Sequence, residues 1–225
     1  MALILNIETA TTNCSVSIGS EDKVIALVEE NSAGYSHAEQ LHVFIAEALK
    51  MASVSFNELN AIAVSMGPGS YTGLRIGVSA AKGLCFALDV PLIATATLEC
   101  MARQVKVESG EILIPLLDAR RMEVYAAVFD HNYKQIEPTK AKIIETTSFS
   151  EYSDYKTIHL LGNGAEKCEP VLIDKKFKYH NQVIPSAKEM VPLSYTKLKA
   201  SRFEDLAYFE PFYLKDFVLQ TKKKS

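Results

Sequence analysis

Cysteine is sparse in this 225-residue chain, where Cys14, Cys85, Cys100 and Cys168 stand far apart. No CxxC pair occurs and no histidines stand at zinc-finger spacing, so a zinc ribbon or finger is excluded and four reduced thiols are expected. None of the four has an evident electropositive setting, which argues against a cysteine nucleophile. Long apolar runs are missing too. Met1 leads straight into a short apolar segment with no basic n-region or long h-region. Neither a signal peptide nor a membrane span is expected, and the expected location is cytoplasmic. Charge of one sign is also lacking: 24 basic against 27 acidic residues leave a formal net charge of −3. The one basic run, Lys222-Lys223-Lys224, is read as a solvated terminus. A chain that grips RNA by itself displays a basic face, so direct nucleic-acid binding by this chain alone is not expected. What is there, 48% hydrophobic and 23% charged residues, suffices to bury the core of two modest domains or one large one.

The most informative feature is Gly67 to Gly77, GPGSYTGLRIG, running on into Val78-Ser79-Ala80-Ala81-Lys82-Gly83. A proline between two glycines marks a sharp turn. The helix that follows keeps glycines in its interior, where each costs about 1 kcal/mol relative to Ala. Two compensations are available. Free N–H groups at the positive end of the helix could cradle a phosphate. Alternatively Gly73, Gly77 and Ala81, four apart and continuing to Cys85, leave a face nearly bare of side chains that another backbone approaches closely. A P-loop is not present, because five residues separate Gly67 from Gly73 and Leu74-Arg75 stand where Lys and Ser/Thr belong. The dinucleotide fingerprint fails at Thr72. Arg75, one turn in, keeps an anion site open, and close helix packing is the favoured reading.

Apolar periodicity outlines the rest. Leu3 to Ile7, Cys14 to Ile18 and Lys23 to Glu29 read as three strands joined by short turns. Ser36 and Glu39 form a capping box ahead of a helix from His37 to about Met51, with Leu41, Phe44, Ile45, Ala48 and Leu49 at helical spacing. A strand at Ala61 to Met66 feeds the glycine turn and a helix from Gly73 to Leu88. Pro91 to Thr95 reads as a strand and Leu98 to Gln104 as a helix. Three antiparallel strands followed by parallel strands with crossover helices are the order of a ribonuclease H-like α/β unit. The pattern restarts with Ile112 to Leu117, Glu123 to Phe129, Lys140 to Ile144 and His159 to Leu161. This is read as a shrunken second copy, with a boundary near residue 105 that separates 1–105 from 106–225. Ser186 and Glu189 suggest another capping box, with Pro192 expected to kink or interrupt its helix. The last ordered segment is expected to contain Glu210 to Leu214, with fraying beyond Gln220.

Four segments, ILNIETATTNCSVSI from Ile4, GPGSYTGLRIG, DARRMEVYAAVF from Asp118 and PFYLK from Pro211, occur together in this order. In that combination the chain resembles the TsaB (YeaZ) family, the dimerisation subunit of the bacterial machinery that makes threonylcarbamoyladenosine at position 37 of tRNAs reading ANN codons. The resemblance implies two actin-like, or ASKHA, lobes with the second reduced. It also implies a subunit with no catalytic residues and no metal of its own, required by a larger catalytic paralogue, TsaD, and joined by a small ATPase, TsaE. Pairing with TsaD is implied through the first two helices, with tRNA reached through the complex and a homodimer expected in isolation. No cofactor is expected to bind this chain tightly by itself, while a nucleotide, ATP or ADP, can sit at the assembled interface. The expected interface comprises Leu41, Phe44, Ile45, Ala48, Tyr71, Gly73, Leu74, Gly77, Ala80, Ala81 and Leu84.

Candidate chemistry elsewhere is thin. The catalytic paralogue carries HxxxH shortly after its proline-led strand, where this chain reads Ala94 to Glu99 without a histidine. His37 and His42 are five apart, about 140° from each other around a helix, so one metal cannot easily take both. Glu8 ends the first strand where nucleotide-binding relatives place an Asp for the magnesium and phosphate region. No second acid accompanies it, and a carboxylate accepting N–H bonds from the turn at Thr9 to Thr11 is the simpler reading. Asp118, Arg120, Arg121 and Glu123 form either an anion contact beside the interlobe cleft or a hairpin whose charges pair in water. The candidate nucleotide or anion set is Glu8, Thr9, Arg75, Arg120 and Arg121. An ASKHA-type ATPase or kinase, or a metallopeptidase-like hydrolase, is the alternative to the scaffold.

Overall fold

A computed structural model describes residues 2–32 and 37–214. Ser36 of the expected capping box, Lys215 and the segment expected to fray lie outside the described residues. The first sheet contains β1 (Leu3–Glu8), β2 (Asn13–Ser20), β3 (Lys23–Asn31), β4 (Ala61–Gly67) and β5 (Leu92–Ala96), with helices α1 (His37–Ala52), α2 (Tyr71–Leu88) and α3 (Thr97–Ala102) interleaved. The strand order is β3-β2-β1-β4-β5. The hairpin pairs are antiparallel, with Leu5 opposite Ile18, and the crossover pairs are parallel, with Leu5 beside Ile62 and Val64 beside Ala94.

The second sheet repeats this plan. It is built from β6 (Glu111–Asp118), β7 (Glu123–Phe129), β8 (Gln135–Ile143), β9 (Thr157–Leu161) and β10 (Phe177–His180) in the order β10-β9-β6-β7-β8. Again β6, β7 and β8 are antiparallel and β6, β9 and β10 are parallel. This is the two-lobed actin-like fold. Its second copy is reduced because a four-residue helix α4 (Asn163–Glu166) and short turns replace the long crossovers of the first. Pro138 lies within β8, an edge strand, where a missing N–H donor costs no ladder bond.

Helix exchange joins the lobes. One face of the first sheet, through Leu5, Ile7, Val16, Ile62 and Val64, packs on Leu41, Phe44, Ile45 and Ala48 of α1 and on Val78 and Ala81 of α2. The opposite face, through Ile4, Ala61, Ala63 and Ile93, is covered by Ala187, Met190 and Leu193 of α5 (Ala187–Lys199), which comes from the far end of the chain. Conversely Leu98, Met101 and Ala102 of α3 pack on Leu113, Ala127 and Leu161 of the second sheet. The sheets thus fall on either side of residue 105, while α5 belongs spatially to the first lobe.

α5 runs unbroken through Pro192, so of the kink or interruption expected there the interruption does not occur. Only the bond its own nitrogen would donate is lost, and burial of Met190, Val191 and Leu193 holds the helix through it. The Ser186 hydroxyl caps its start by accepting from the Lys188 N–H at 3.2 Å. Beyond α5 the chain returns to the first lobe. The Glu204 N–H donates to the Leu92 carbonyl, and the Phe212 N–H donates to the Met66 carbonyl at 2.8 Å. Lys82 Nζ holds the Ala207 and Phe209 carbonyls at 3.1 Å each.

Candidate functional site: the glycine turn and the groove between the first two helices

The glycine turn brings three buried groups together. Ser70 caps α2 by accepting the Gly73 N–H at 3.3 Å. The interior glycines face the turn that joins β1 to β2. A Cβ on Gly69 would lie 2.4 Å from the Ala10 carbonyl oxygen, one on Gly73 2.2 Å from that of Thr9, and one on Gly77 2.3 Å from Thr9 Oγ1. No side chain fits at such distances. Two hydrogen bonds seal the contact, from Thr9 Oγ1 to the Gly73 carbonyl at 2.8 Å and from the Ser70 N–H to the Ala10 carbonyl at 2.6 Å. His37 Nε2 meets the Thr11 carbonyl at 2.6 Å, tying the start of α1 to the same turn.

The bare helix face therefore admits a close neighbour from within the chain. Eight residues expected at a partner interface, Leu41, Phe44, Ile45, Ala48, Gly73, Leu74, Gly77 and Ala81, are buried in the monomer and unavailable as surface contacts. The physical reason is that the apolar stripe of an amphipathic helix covers its own sheet before any partner arrives. The other three, Tyr71, Ala80 and Leu84, are half-buried at the borders of that face, with Ala80 and Leu84 also packed against the first core. There they line a groove of about 690 Å³ with Ala38 and His42 of α1 and with Arg75, Ile76 and Gly83. Val43 on α1 and Phe86 on α2, 53% and 82% exposed, add apolar surface to the outer faces of the same helices. Ala38, His42, Ile76 and Gly83 escaped the sequence reading. The signal for Ile76 was a second series on α2, Thr72, Ile76, Ala80 and Leu84 at spacing four.

Arg75 belongs to this outer face. Its Nη1 donates to Tyr71 Oη at 2.7 Å, with the guanidinium 5.3 Å from the centre of the Tyr71 ring. The Tyr213 ring lies 5.0 Å from Tyr71, so the described end of the chain reaches the lip of the groove.

Glu8 and Thr9 sit instead behind α2, fully buried. Glu8 Oε1 accepts the Ala10 N–H at 2.6 Å, and burial raises the carboxyl to about 7 against the pull of the Ala10 N–H, the Ser65 hydroxyl and the Thr9 N–H. Its Oε2 has no hydrogen-bond partner among the described residues. The Ser65 and Thr97 hydroxyls are 2.7 Å apart at the ends of β4 and β5. Asn13 N–H is taken by Thr11 Oγ1 at 3.4 Å. The Ala10 and Asn13 N–H groups of the turn are thus engaged internally, and the 67–70 loop presses against the turn where a phosphate would need room.

Arg120 and Arg121 form the tip of the β6–β7 hairpin, both exposed and both at positive φ, 69° and 52°. The Asp118 carboxylate accepts the Arg120 N–H at 2.8 Å and pairs with Lys167, whose Nζ also donates to the Arg121 carbonyl at 2.8 Å. The paired charge of this hairpin is Asp118 with Lys167, an ion pair the sequence reading missed, since Lys167 stands on a distant segment. No ion pair joins either guanidinium to a described residue. The expected anion set is thus spread over three places, the buried turn (Glu8 and Thr9), the outer groove (Arg75) and the hairpin tip (Arg120 and Arg121), and no hydrogen bond among the described residues links them.

Among the described residues no three His, Cys, Asp or Glu side chains converge on one point. His37 is buried and His42 exposed in the groove, the separation their spacing implies. His159 Nδ1 and His180 Nε2 meet at 2.9 Å on the second sheet with Glu111 at 3.4 Å from His159, a cluster that sequence spacing does not reveal. All four cysteines are buried and free. Burial pushes the Cys14 and Cys168 thiols up to about 11 and Cys85 to about 12, the opposite of what a nucleophile needs. Among the described residues no helix is long and apolar enough to cross a membrane.

Comparison with known proteins supplies the family. A family model described as TsaD, tRNA N6-adenosine threonylcarbamoyltransferase, matches residues 28–163. The tRNA threonylcarbamoyladenosine biosynthesis protein TsaB of Buchnera aphidicola subsp. Baizongia pistaciae is 30% identical, over 95% of this chain and 98% of its own length. The chain belongs to the TsaB (YeaZ) family. It takes part in tRNA threonylcarbamoyladenosine biosynthesis. TsaB of Escherichia coli K12 is 28% identical over 97% of each chain. The solved structure of YeaZ from Pseudomonas aeruginosa superposes with a TM-score of 0.78 at 24% identity, covering 95% of this chain and all of that one, and shares the fold.

Proposed function

We propose that this chain is the non-catalytic subunit of the threonylcarbamoyladenosine machinery, docking on TsaD through the outer faces of α1 and α2. The observation that carries the reading is the open, largely apolar groove between those helices, lined by Tyr71, Ile76, Ala80 and Leu84, with Val43 and Phe86 exposed on the same two helices. Exposed apolar surface of this kind marks a partner site. The same surface pairs two copies of the chain when TsaD is absent. TsaE joins the assembly, tRNA is reached through the complex, and the chain alone holds no nucleotide tightly. ATP or ADP sits at the assembled interface, where Arg75 offers a cation at the groove. Arg120 and Arg121 offer a second anion contact, since guanidinium groups without an ion pair to a described carboxylate suit a phosphate.

A kinase or peptidase reading has less support. Glu8 Oε1 and the Ala10 and Asn13 N–H groups of the turn are engaged within the monomer, and no ligand set for a peptidase metal converges among the described residues. The test is reconstitution of threonylcarbamoyl transfer to tRNA with TsaD and TsaE from the same organism, with and without this chain. Transfer is expected only when the chain is present. Full transfer without it, or metal-dependent hydrolysis by the chain alone, would overturn the proposal.

A further inference from the structure

Two helices hang on residues 9 to 11. Thr9 Oγ1 and the Ala10 carbonyl hold the first turn of α2 through Gly73 and Ser70, and the Thr11 carbonyl holds the first residue of α1 through His37. Glu8, which precedes them, fixes the turn by accepting the Ala10 N–H. On the solvent side of the same helical turns, Ala38, Tyr71 and Thr72 line one end of the groove. The contact is too tight for independent motion, with the Gly73 and Gly77 positions closed to even a methyl group. A displacement of the turn must either carry α2 with it or break the Thr9–Gly73 bond.

We propose that the β1–β2 turn couples the buried Glu8 carboxyl, on the interlobe side of the first sheet, to the spacing of α1 and α2 and so to the shape of the groove outside. The biological consequence rests on the groove being the docking surface. The coupling itself does not, and it is tested by conformation alone.

The sign follows from linkage. Burial raises the Glu8 carboxyl to about 7, so the closed turn binds its proton more tightly than an opened, hydrated turn does. Closure is favoured at low pH and loosened as pH rises toward 7. The other ionisable groups around it are few. Cys14 on β2 and Cys100 on α3 both feel the Glu8 charge, and burial keeps both thiols neutral through this range. Glu30 acts on Cys14, Glu99 of α3 and Glu189 of α5 act on Cys100, and His37 touches the turn through Thr11.

Hydrogen exchange followed by mass spectrometry, corrected for the intrinsic pH dependence, tests this on the full chain from pH 5 to pH 8. In the wild type, protection at Thr9 to Asn13 and at Tyr71 to Ile76 is expected to fall together by at least tenfold as pH rises. Glu8→Gln, a neutral carboxamide that keeps the acceptor, is expected to abolish the fall in both segments, while His37→Gln is expected to retain it. Thr9→Val removes the donor to Gly73 and leaves the Ser70–Ala10 bond, so the response of α2 should weaken relative to that of the turn. Thr9→Ser should restore the joint response. Independent responses of the two segments in the wild type, a fall that survives Glu8→Gln, or a Thr9→Val variant in which α2 follows pH as fully as in the wild type would each overturn the coupling. Failure of these outcomes leaves docking at the groove untouched, because loss of TsaD binding is read separately.

Discussion

Two glycines in one helix should respond in opposite directions to the same substitution. At Gly73 a new Cβ would lie 2.2 Å from the Thr9 carbonyl oxygen, a backbone atom that cannot swing aside. At Gly83 it would meet nothing within 4 Å. Helix propensity favours Ala over Gly by about 1 kcal/mol at both sites. For Gly83→Ala no other change opposes it, so a gain of roughly 0.5–1 kcal/mol is expected. For Gly73→Ala, overpacking costs about 1–3 kcal/mol. Displacing the Thr9–Gly73 bond in a buried site costs about another 1–3 kcal/mol. The net expectation is a loss of about 1–5 kcal/mol, the two costs less the helix gain. Urea unfolding followed by far-UV circular dichroism measures both. A Gly73→Ala protein as stable as wild type would refute the claim that the glycine face is packed against the β1–β2 turn.

Stability should also depend on pH through Glu8. Its folded carboxyl is raised to about 7 from 4.5, so the folded state binds more protons between those values. The contribution of this group is full below about 4.5 and is lost as pH rises toward 7, amounting to about 3 kcal/mol at pH 8; Glu8→Gln should flatten that part of the chemical-denaturation profile, and an unchanged slope would refute it. Arg121→Gly should raise the melting free energy by on the order of 1 kcal/mol, because a non-glycine residue at φ 52° carries backbone strain that glycine does not; a lower melting temperature would contradict this. Ser194→Ala should destabilise by about 1–3 kcal/mol, since the Ser194 hydroxyl donates to Asn6 Oδ1 at 2.7 Å in the seam between α5 and the first sheet; thermal denaturation checks it, and a neutral result would mean the seam is held by packing alone.

The first sheet was legible because its strands alternate or run apolar in short lengths between turn residues, as Val16 and Ile18 do between serines. The duplication was legible for the same reason as far as β9. Phe177 to His180 was not, being four residues long and only half-buried at a sheet edge, where neither period nor burial leaves a mark. The spacing of Ala187, Met190 and Leu193 marks an apolar helix face but says nothing of which sheet receives it. Helix exchange between lobes is a property of the closed chain, written in complementary surfaces rather than in local pattern. At the candidate site, the bare face of Gly73 and Gly77 was readable as a close approach. Its occupant, the Thr9 turn, lies 64 residues from Gly73 along the chain and meets it only through sheet pairing. The groove-lining series of α2 carries the same spacing as the core-facing one, and only burial in the folded chain separates Ala80 from Ala81.

Docking on TsaD through the outer groove is tested most directly by Ala80→Arg, which sets a long cation in the groove at a half-exposed position while leaving the core-facing Ala81 untouched. Isothermal titration of the variant against TsaD, alongside a thermal melt, gives both affinity and fold. The expected result is an unchanged melting temperature with TsaD binding weakened about a hundredfold or more, the size of effect typical of a charge forced into an apolar interface core. Wild-type affinity for TsaD in a variant that folds normally would contradict the account.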